Sequence, residues 1–287
     1  MSDLLMATCW TTAGEAAPDR ADRRSPVPLR DRVEAAAAAG FRGFGLNSVD
    51  LPEAERTYGM PGIKSIFDDN GITHIELEAV PEWWSGSAAG TESHELRRTV
   101  LRAAEVLHAR HIKVTPDDSG LPWDFGRWAS EFGRLATQAA DSGARLGIEF
   151  LPWANISNPE EALHLVEEAG HDGGGVVVDV WHTERGSTAP AELAKLPLER
   201  IVGVELNDAD SAVVGTLFED TVHRRRYCGE GRFRLVDIVD ALSRAGWSGP
   251  WGIEILSDDH RALPVPAAAR KAFETGARVL ERGLRPV

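Results

Sequence analysis

The sequence predicts an α/β protein: a single-domain (β/α)8 barrel of the TIM type over residues 1–287. Three observations carry that expectation. Short apolar, strand-like runs alternate with amphipathic, helix-like segments eight times from end to end. Several runs, such as VVVDV at 176–180, are apolar on both faces, as strands of a buried parallel sheet are. The length of 287 residues is ordinary for one such barrel. A doubly wound open sheet would instead carry a glycine-rich phosphate turn after its first strand, and TCWTTAGEA holds no G-x-G-x-x-G.

In chain order, LLMATCW (4–10) reads as the first strand, followed by a polar loop from Thr11 to Pro28. PLRDRVEAAAAAG (28–40) is a helix with Pro near its start and Gly40 as its stop. FRGFGLNSVDL (41–51) is strand two, IKSIFDDNG (63–71) helix two and THIELEAV (73–80) strand three. SHELRRTVLRAAEVLHAR (93–110) is a long amphipathic helix with Ser93 expected as N-cap. HIKVTPDD (111–118) and FGRWASEFGRLATQAADSG (125–143) form the fourth pair. LGIEFLP (146–152) leads to NPEEALHLVEEAG (158–170), with Asn158 as N-cap and Pro159 at the first helical position. GVVVDVWH (175–182) precedes AELAKL (191–196), and IVGVELND (201–208) precedes FRLVDIVDALSRAG (233–246). GPWGIEIL (249–256) and PAAARKAFETGARVLERGL (266–284) close the series.

Four acids sit where four of these strands end, each flanked by apolar residues: Glu149 in LGIEFLPW, Asp179 in VVVDVWH, Glu205 in VGVELNDAD and Glu254 in WGIEILSDD. A buried charge without a partner is costly. Lys and Arg are nearly absent from the adjacent strand ends, so separate ion pairs are the poorer expectation. One divalent cation held by oxygen ligands satisfies all four carboxylates at once. Barrel active sites also lie at this end of the strands.

Other candidates surround them. His182, three residues after Asp179, is expected at the pocket rim. His74 and His111 stand at strand starts and read as structural, and Glu78 is expected either in the pocket or paired with Lys113. The run His223, Arg224, Arg225, Arg226 before CGEG falls at the barrel mouth, where Arg can grip a hydroxyl, carboxylate or phosphate. Six tryptophans follow strands: Trp10, Trp83, Trp84, Trp123, Trp153 and Trp181. They suggest an aromatic wall suited to the apolar face of a sugar or cyclitol ring.

Lys and Arg number 31 against 45 Asp and Glu, a formal net charge of −14 that disfavours a nucleic-acid partner. Cys9 and Cys228 are too few and too distant for a disulfide framework and fit a reducing, cytoplasmic setting. MSDLLMATCWTTAGE lacks a basic n-region, and no segment has the length of a membrane span. A small-molecule sugar or cyclitol is thus the expected partner, with no nucleic acid and no membrane; a homo-oligomer is compatible with the sequence.

The motifs IEFLP, GGGVVVDVWHTERG, VELNDAD, RRRYCGEG and GPWGIEILSDD together resemble the sugar phosphate isomerase/epimerase superfamily, the xylose isomerase-like TIM barrels, across essentially the whole chain. The resemblance implies one divalent ion, Mn²⁺, Mg²⁺ or Co²⁺, on Glu149, Asp179, Glu205 and Glu254. It implies proton exchange with substrate at Glu149 and Glu254, and substrate contacts at His182 and Arg225, beside Trp10, Trp153 and Trp181 of the aromatic wall. Glu205 departs from the pattern, since relatives carry His or Gln there. It is expected as a ligand, with a partly protonated carboxyl or a base outside the metal shell as the alternatives. Cys228 replaces the Pro of the usual turn. The nuclease branch needs additional histidines that are missing here.

The implied function is a metal-dependent isomerase or epimerase of a keto sugar or cyclitol. The alternative is a lyase of the same superfamily, dehydroshikimate dehydratase-like, inosose dehydratase-like or 3-keto-glycoside-cleaving. A non-catalytic carbohydrate-binding or partner subunit is the third reading.

Overall fold

A computed structural model describes residues 5–85 and 92–284. The leader reading of the first residues falls partly on 1–4, and so lies partly outside the described residues. Eight strands, β1 (Leu5–Ala7), β2 (Gly43–Asn47), β3 (His74–Glu78), β4 (His111–Val114), β5 (Arg145–Glu149), β6 (Gly174–Asp179), β7 (Ile201–Leu206) and β8 (Trp251–Ile253), close into one barrel in sequence order. Every neighbouring pair is parallel, including β1 with β8. The single-domain (β/α)8 barrel expected from the alternation is therefore the observed fold.

The helices that follow the strands are α1 (Leu29–Ala39), α2 (Leu51–Asp69), α3 (Glu92–Leu107), α4 (Phe125–Asp141), α5 (Pro159–Ala169), α6 (Val180–Arg185), α7 (Pro190–Leu193), α8 (Leu217–His223), α9 (Leu235–Ala245), α10 (Asp258–Arg261) and α11 (Val265–Gly283). The main core lies between the barrel wall and this ring. On α4, Trp128, Phe132, Leu135 and Ala139 recur at helical spacing and are all buried. Each large apolar side chain so placed contributes roughly 1.5–3 kcal/mol. Helix stops follow the glycine rule: Gly40 takes a φ of 115° and caps α1 by donating to the carbonyls of Ala36 and Ala37.

Several boundaries differ from the sequence reading for identifiable reasons. α2 begins twelve residues before the expected Ile63, at Leu51. Gly59 leaves helical geometry (φ 67°, ψ 159°), and the helix resumes behind it with Pro61 inside. The DVWH run is not strand throughout: the side chain of Asp179 accepts from the backbone N–H groups of Trp181 and His182 and starts α6. Ser93 lies inside α3, and its hydroxyl donates to the carbonyl of Pro81 at 2.8 Å instead of capping. Asn158 caps α5 as expected, accepting from the N–H of Glu161 at 3.0 Å.

Candidate metal centre

Strand register brings the acids together. Asp179 pairs directly with Glu205, and Glu205 with Gly252, two residues before Glu254. One carboxylate oxygen from each of Glu149, Asp179, Glu205 and Glu254 lies within 4.8 Å of the others, and all four residues are buried. Glu149, Asp179 and His182 form an overlapping group. The sequence-based set is thus a spatial cluster at the C-terminal end of the barrel.

The reading of the strand ends as nearly free of basic residues fails here. Lys113, on β4, reaches into the cluster from a distance in sequence that no local pattern could reveal. Its Nζ lies 2.9 Å from Glu205 Oε1, 2.8 Å from Glu78 Oε2, and 3.4 Å from both Glu149 Oε2 and Glu254 Oε1. Arg225 Nη1 lies 2.7 Å from Asp179 Oδ2 and 2.9 Å from Glu254 Oε2. Five carboxylates, with Glu78, therefore face two side-chain cations, an excess of three negative charges.

That excess shows in the ionisation. Burial, helped by Glu254 and Asp179, pushes the Glu149 carboxyl up to about 8. Burial also lifts Glu78 to about 7. Burial would lower the Lys113 ammonium, but Glu149, Glu205 and Glu254 outweigh it and hold its pKa well above the ordinary range. Burial and Glu254 push Glu205 up while the ammonium on both its oxygens pulls the other way. With four carboxylates around it, the ammonium is the group that stays charged. The cluster must therefore take up protons or a cation. Oxygen donors, excess negative charge and the buried Glu149 Oε1, which has no hydrogen-bond partner, fit a hard divalent ion.

Outer contacts fix these groups. Asn207 donates to both Asp179 oxygens, at 3.1 and 3.0 Å. Asp208 gathers the backbone N–H groups of Gly229, Gly231 and Phe233 and so pins the loop that follows Arg225. A Cβ at Gly231 would meet Asp208 Oδ1 at 2.3 Å, so this cradle requires glycine. Neither Asn207 nor Asp208 was singled out from the sequence, although both lie in the VELNDAD motif; the signal was polar residues directly after a buried strand.

Above the cluster lies a cavity of about 340 Å³ whose wall includes Trp10, Glu78, Lys113, Trp153, His182 and Arg225. His182 Nε2 stands 3.5 Å from Glu149 Oε1, and burial with Arg225 nearby holds its imidazole pKa well below normal, so it is neutral. Trp153 Nε1 donates to Asp118 Oδ2 at 3.4 Å.

The aromatic wall is smaller than the sequence suggested. Trp181 is fully buried behind the site, with the guanidinium of Arg225 over its ring, and does not line the cavity. Trp83, Trp84 and Trp123 pack with Trp128, the Trp84–Trp128 pair stacked at 4.6 Å. These loops fold back onto α4, so packing on that helix takes the rings that the pocket was expected to take, with Trp83 buried and Trp123 left exposed. The basic run also splits up: His223 joins Asp19 and Asp258, and Arg226 pairs with Asp210. His111 is structural, its Nε2 2.7 Å from Glu76 Oε2.

The family model of the xylose isomerase-like TIM barrel matches residues 33–282, and the chain belongs to that family. A 3-dehydroshikimate dehydratase of Pseudomonas aeruginosa is 28% identical over 253 residues, covering 84% of this chain and 38% of that protein. The chain thus spans well under half of the dehydratase. An inosose isomerase of Halalkalibacterium halodurans is 22% identical over 251 residues, covering 85% of this chain and 88% of that protein. A solved structure of the IOLI protein with a bound zinc atom superposes with a TM-score of 0.81 at 17% identity, over 96% of this chain and 98% of that one. An L-ribulose 3-epimerase structure superposes at 0.73 with 15% identity, over 98% and 95%.

Proposed function

We propose that this protein is a divalent-metal-dependent enzyme that removes a proton α to the carbonyl of a small keto cyclitol or keto sugar and isomerises it. The observation that carries the reading is the buried four-acid cluster with excess negative charge beneath a ring-sized cavity. A divalent ion held by that cluster would polarise the substrate carbonyl as a Lewis acid.

The chain's own groups supply the rest. Glu149 Oε1 is buried and unpartnered, free to accept a proton from substrate carbon. Glu254, across the cluster, is the second carboxyl able to return a proton, with its orientation held by Arg225. His182, neutral and bonded through neither ring nitrogen to a protein donor, offers a hydrogen bond to a substrate hydroxyl beside Glu149. Trp10 and Trp153 give apolar faces for the ring and restrict water.

A second reading, elimination, is favoured by the similarity to the dehydratase. The same carbon–hydrogen bond breaks, but the electron pair then expels a β-hydroxyl, which leaves as water after gaining a proton. Incubation with an inosose or with 3-dehydroshikimate in D₂O, with Mn²⁺ added, separates the outcomes. Deuterium at the α carbon without loss of water supports isomerisation. Release of water with a conjugated, near-ultraviolet-absorbing product supports elimination. Isomer formed without release of water and with no label from solvent contradicts a proton taken by one carboxyl and returned by the other.

A further inference from the structure

The four acids are not equivalent towards Lys113. Both oxygens of Glu205 accept from Nζ, at 2.9 and 3.1 Å, whereas Glu149 and Glu254 each approach it with one oxygen at 3.4 Å. Glu149 is left with Oε1 open. Glu205 is wholly buried and, like Asp179, does not border the cavity, while Lys113, Glu149 and Glu254 do. Lys113 thus both bonds Glu205 and lines the cavity. Lys113 also meets Glu78 at 2.8 Å.

Resting on the metal reading of the site, we propose that Lys113 is a resident second cation that takes Glu205 as its own counter-ion, leaving the divalent ion to Glu149, Asp179 and Glu254. Lys113 and Glu205 form a hydrogen-bonded unit inside the barrel. An extra carboxylate at this position would otherwise add charge to a cluster that already has too much. The unit also sets affinity. A fixed ammonium beside two ligand carboxylates repels a dication and shares their charge, so the site binds its metal more weakly than four free carboxylates would. Lys113 is a positioning residue in this account, acting through the carboxylates it orients.

The test is metal binding by chelator-treated protein, with Mn²⁺ titrated calorimetrically and the visible bands of bound Co²⁺ recorded. Asp179→Asn, which removes a ligand, should weaken Mn²⁺ by at least ~100-fold, beyond the usual effect of altering a ligand's outer partners. Glu205→Gln should cost about tenfold at most and leave the Co²⁺ bands in place, as an outer partner does. Lys113→Met should strengthen Mn²⁺ binding by about tenfold and move the Co²⁺ bands, because Glu205 is released into the shell. A Glu205→Gln variant that loses as much affinity as Asp179→Asn, or that shifts the Co²⁺ bands, overturns the inference while leaving the metal reading intact. Unchanged or weaker Mn²⁺ binding by folded Lys113→Met also overturns it. If that variant does not fold, the Glu205→Gln result alone decides. Wild-type protein that binds no Mn²⁺ overturns both the metal reading and this inference.

Discussion

Two buried charged clusters sit in the same barrel, two residues apart along β3. The lower one is Glu76 with His111, one acid and one base at 2.7 Å, both closed off from solvent. The upper one begins at Glu78 and gathers five carboxylates around Lys113 and Arg225. The first pairs one acid with one base and borders no described cavity, although Glu76 Oε1 and His111 Nδ1 each lack a hydrogen-bond partner. The second holds more acids than cations and borders a cavity. Burial alone does not mark a functional charge, since both clusters are equally buried. An imbalance that only an outside ion or proton can correct is the better sign.

The comparison breaks most sharply under single substitutions. Glu254→Gln should cut turnover by about 10²–10⁴-fold, the range of acid–base contributions, with the melting temperature little changed. Steady-state kinetics with metal present checks this. Glu76→Ala should do the reverse. Leaving His111 buried without its partner costs roughly 3–5 kcal/mol, read by urea unfolding, while protein that remains folded keeps its metal.

The tryptophans repeat the contrast in apolar form. Trp128 is buried against Trp83 and Trp84, so Trp128→Ala should cost about 3–5 kcal/mol of stability. Trp153 lines the cavity and is only partly buried. Trp153→Ala should raise KM by about tenfold, the scale of one lost apolar contact in a pocket, with a smaller change in stability.

How far these clusters were legible in the sequence follows from range. Eight strand–helix units and four strand-end acids are local patterns, readable as periodicity and as charges inside apolar runs. Asn158 as a cap is equally local. The Lys113–Glu205 pair joins β4 to β7 across 92 residues, and neither residue carries a mark of the other. The fate of the tryptophans was hidden for the same reason: loop rings can face a pocket or fold onto a helix, and only packing decides. The short helices α8 and α10 escaped notice because a loop of one or two turns leaves too few periodic positions to read.

The smallest expected effect is the dependence of stability on pH. Burial raises Glu78 to about 7 and Glu149 to about 8, above their values in the unfolded chain. At these two carboxyls the folded, metal-free protein thus holds more protons than the unfolded one between about pH 4.5 and 8, and their contribution to stability falls as pH rises through that window. Buried His182 and His260, whose pKa values are lowered, act in the opposite direction below about pH 6.5. The melting temperature of chelated protein should decline from about pH 6.5 to 8, where the carboxyls act alone. Saturating Mn²⁺ should flatten the slope, because the ion takes the place of the protons. An equal decline with and without metal would show that the matched and mismatched clusters respond alike.

The metal content of the purified protein, beside that of Asp179→Asn, tests the central claim most directly. Asn at this position still caps α6, so the fold should survive. The account predicts about one divalent ion per chain in the wild type, as an oxygen-ligand site requires, and loss of that ion in the variant. Wild-type protein without a divalent ion after growth and dialysis in Mn²⁺, or an Asp179→Asn variant that retains its metal in full, would contradict it.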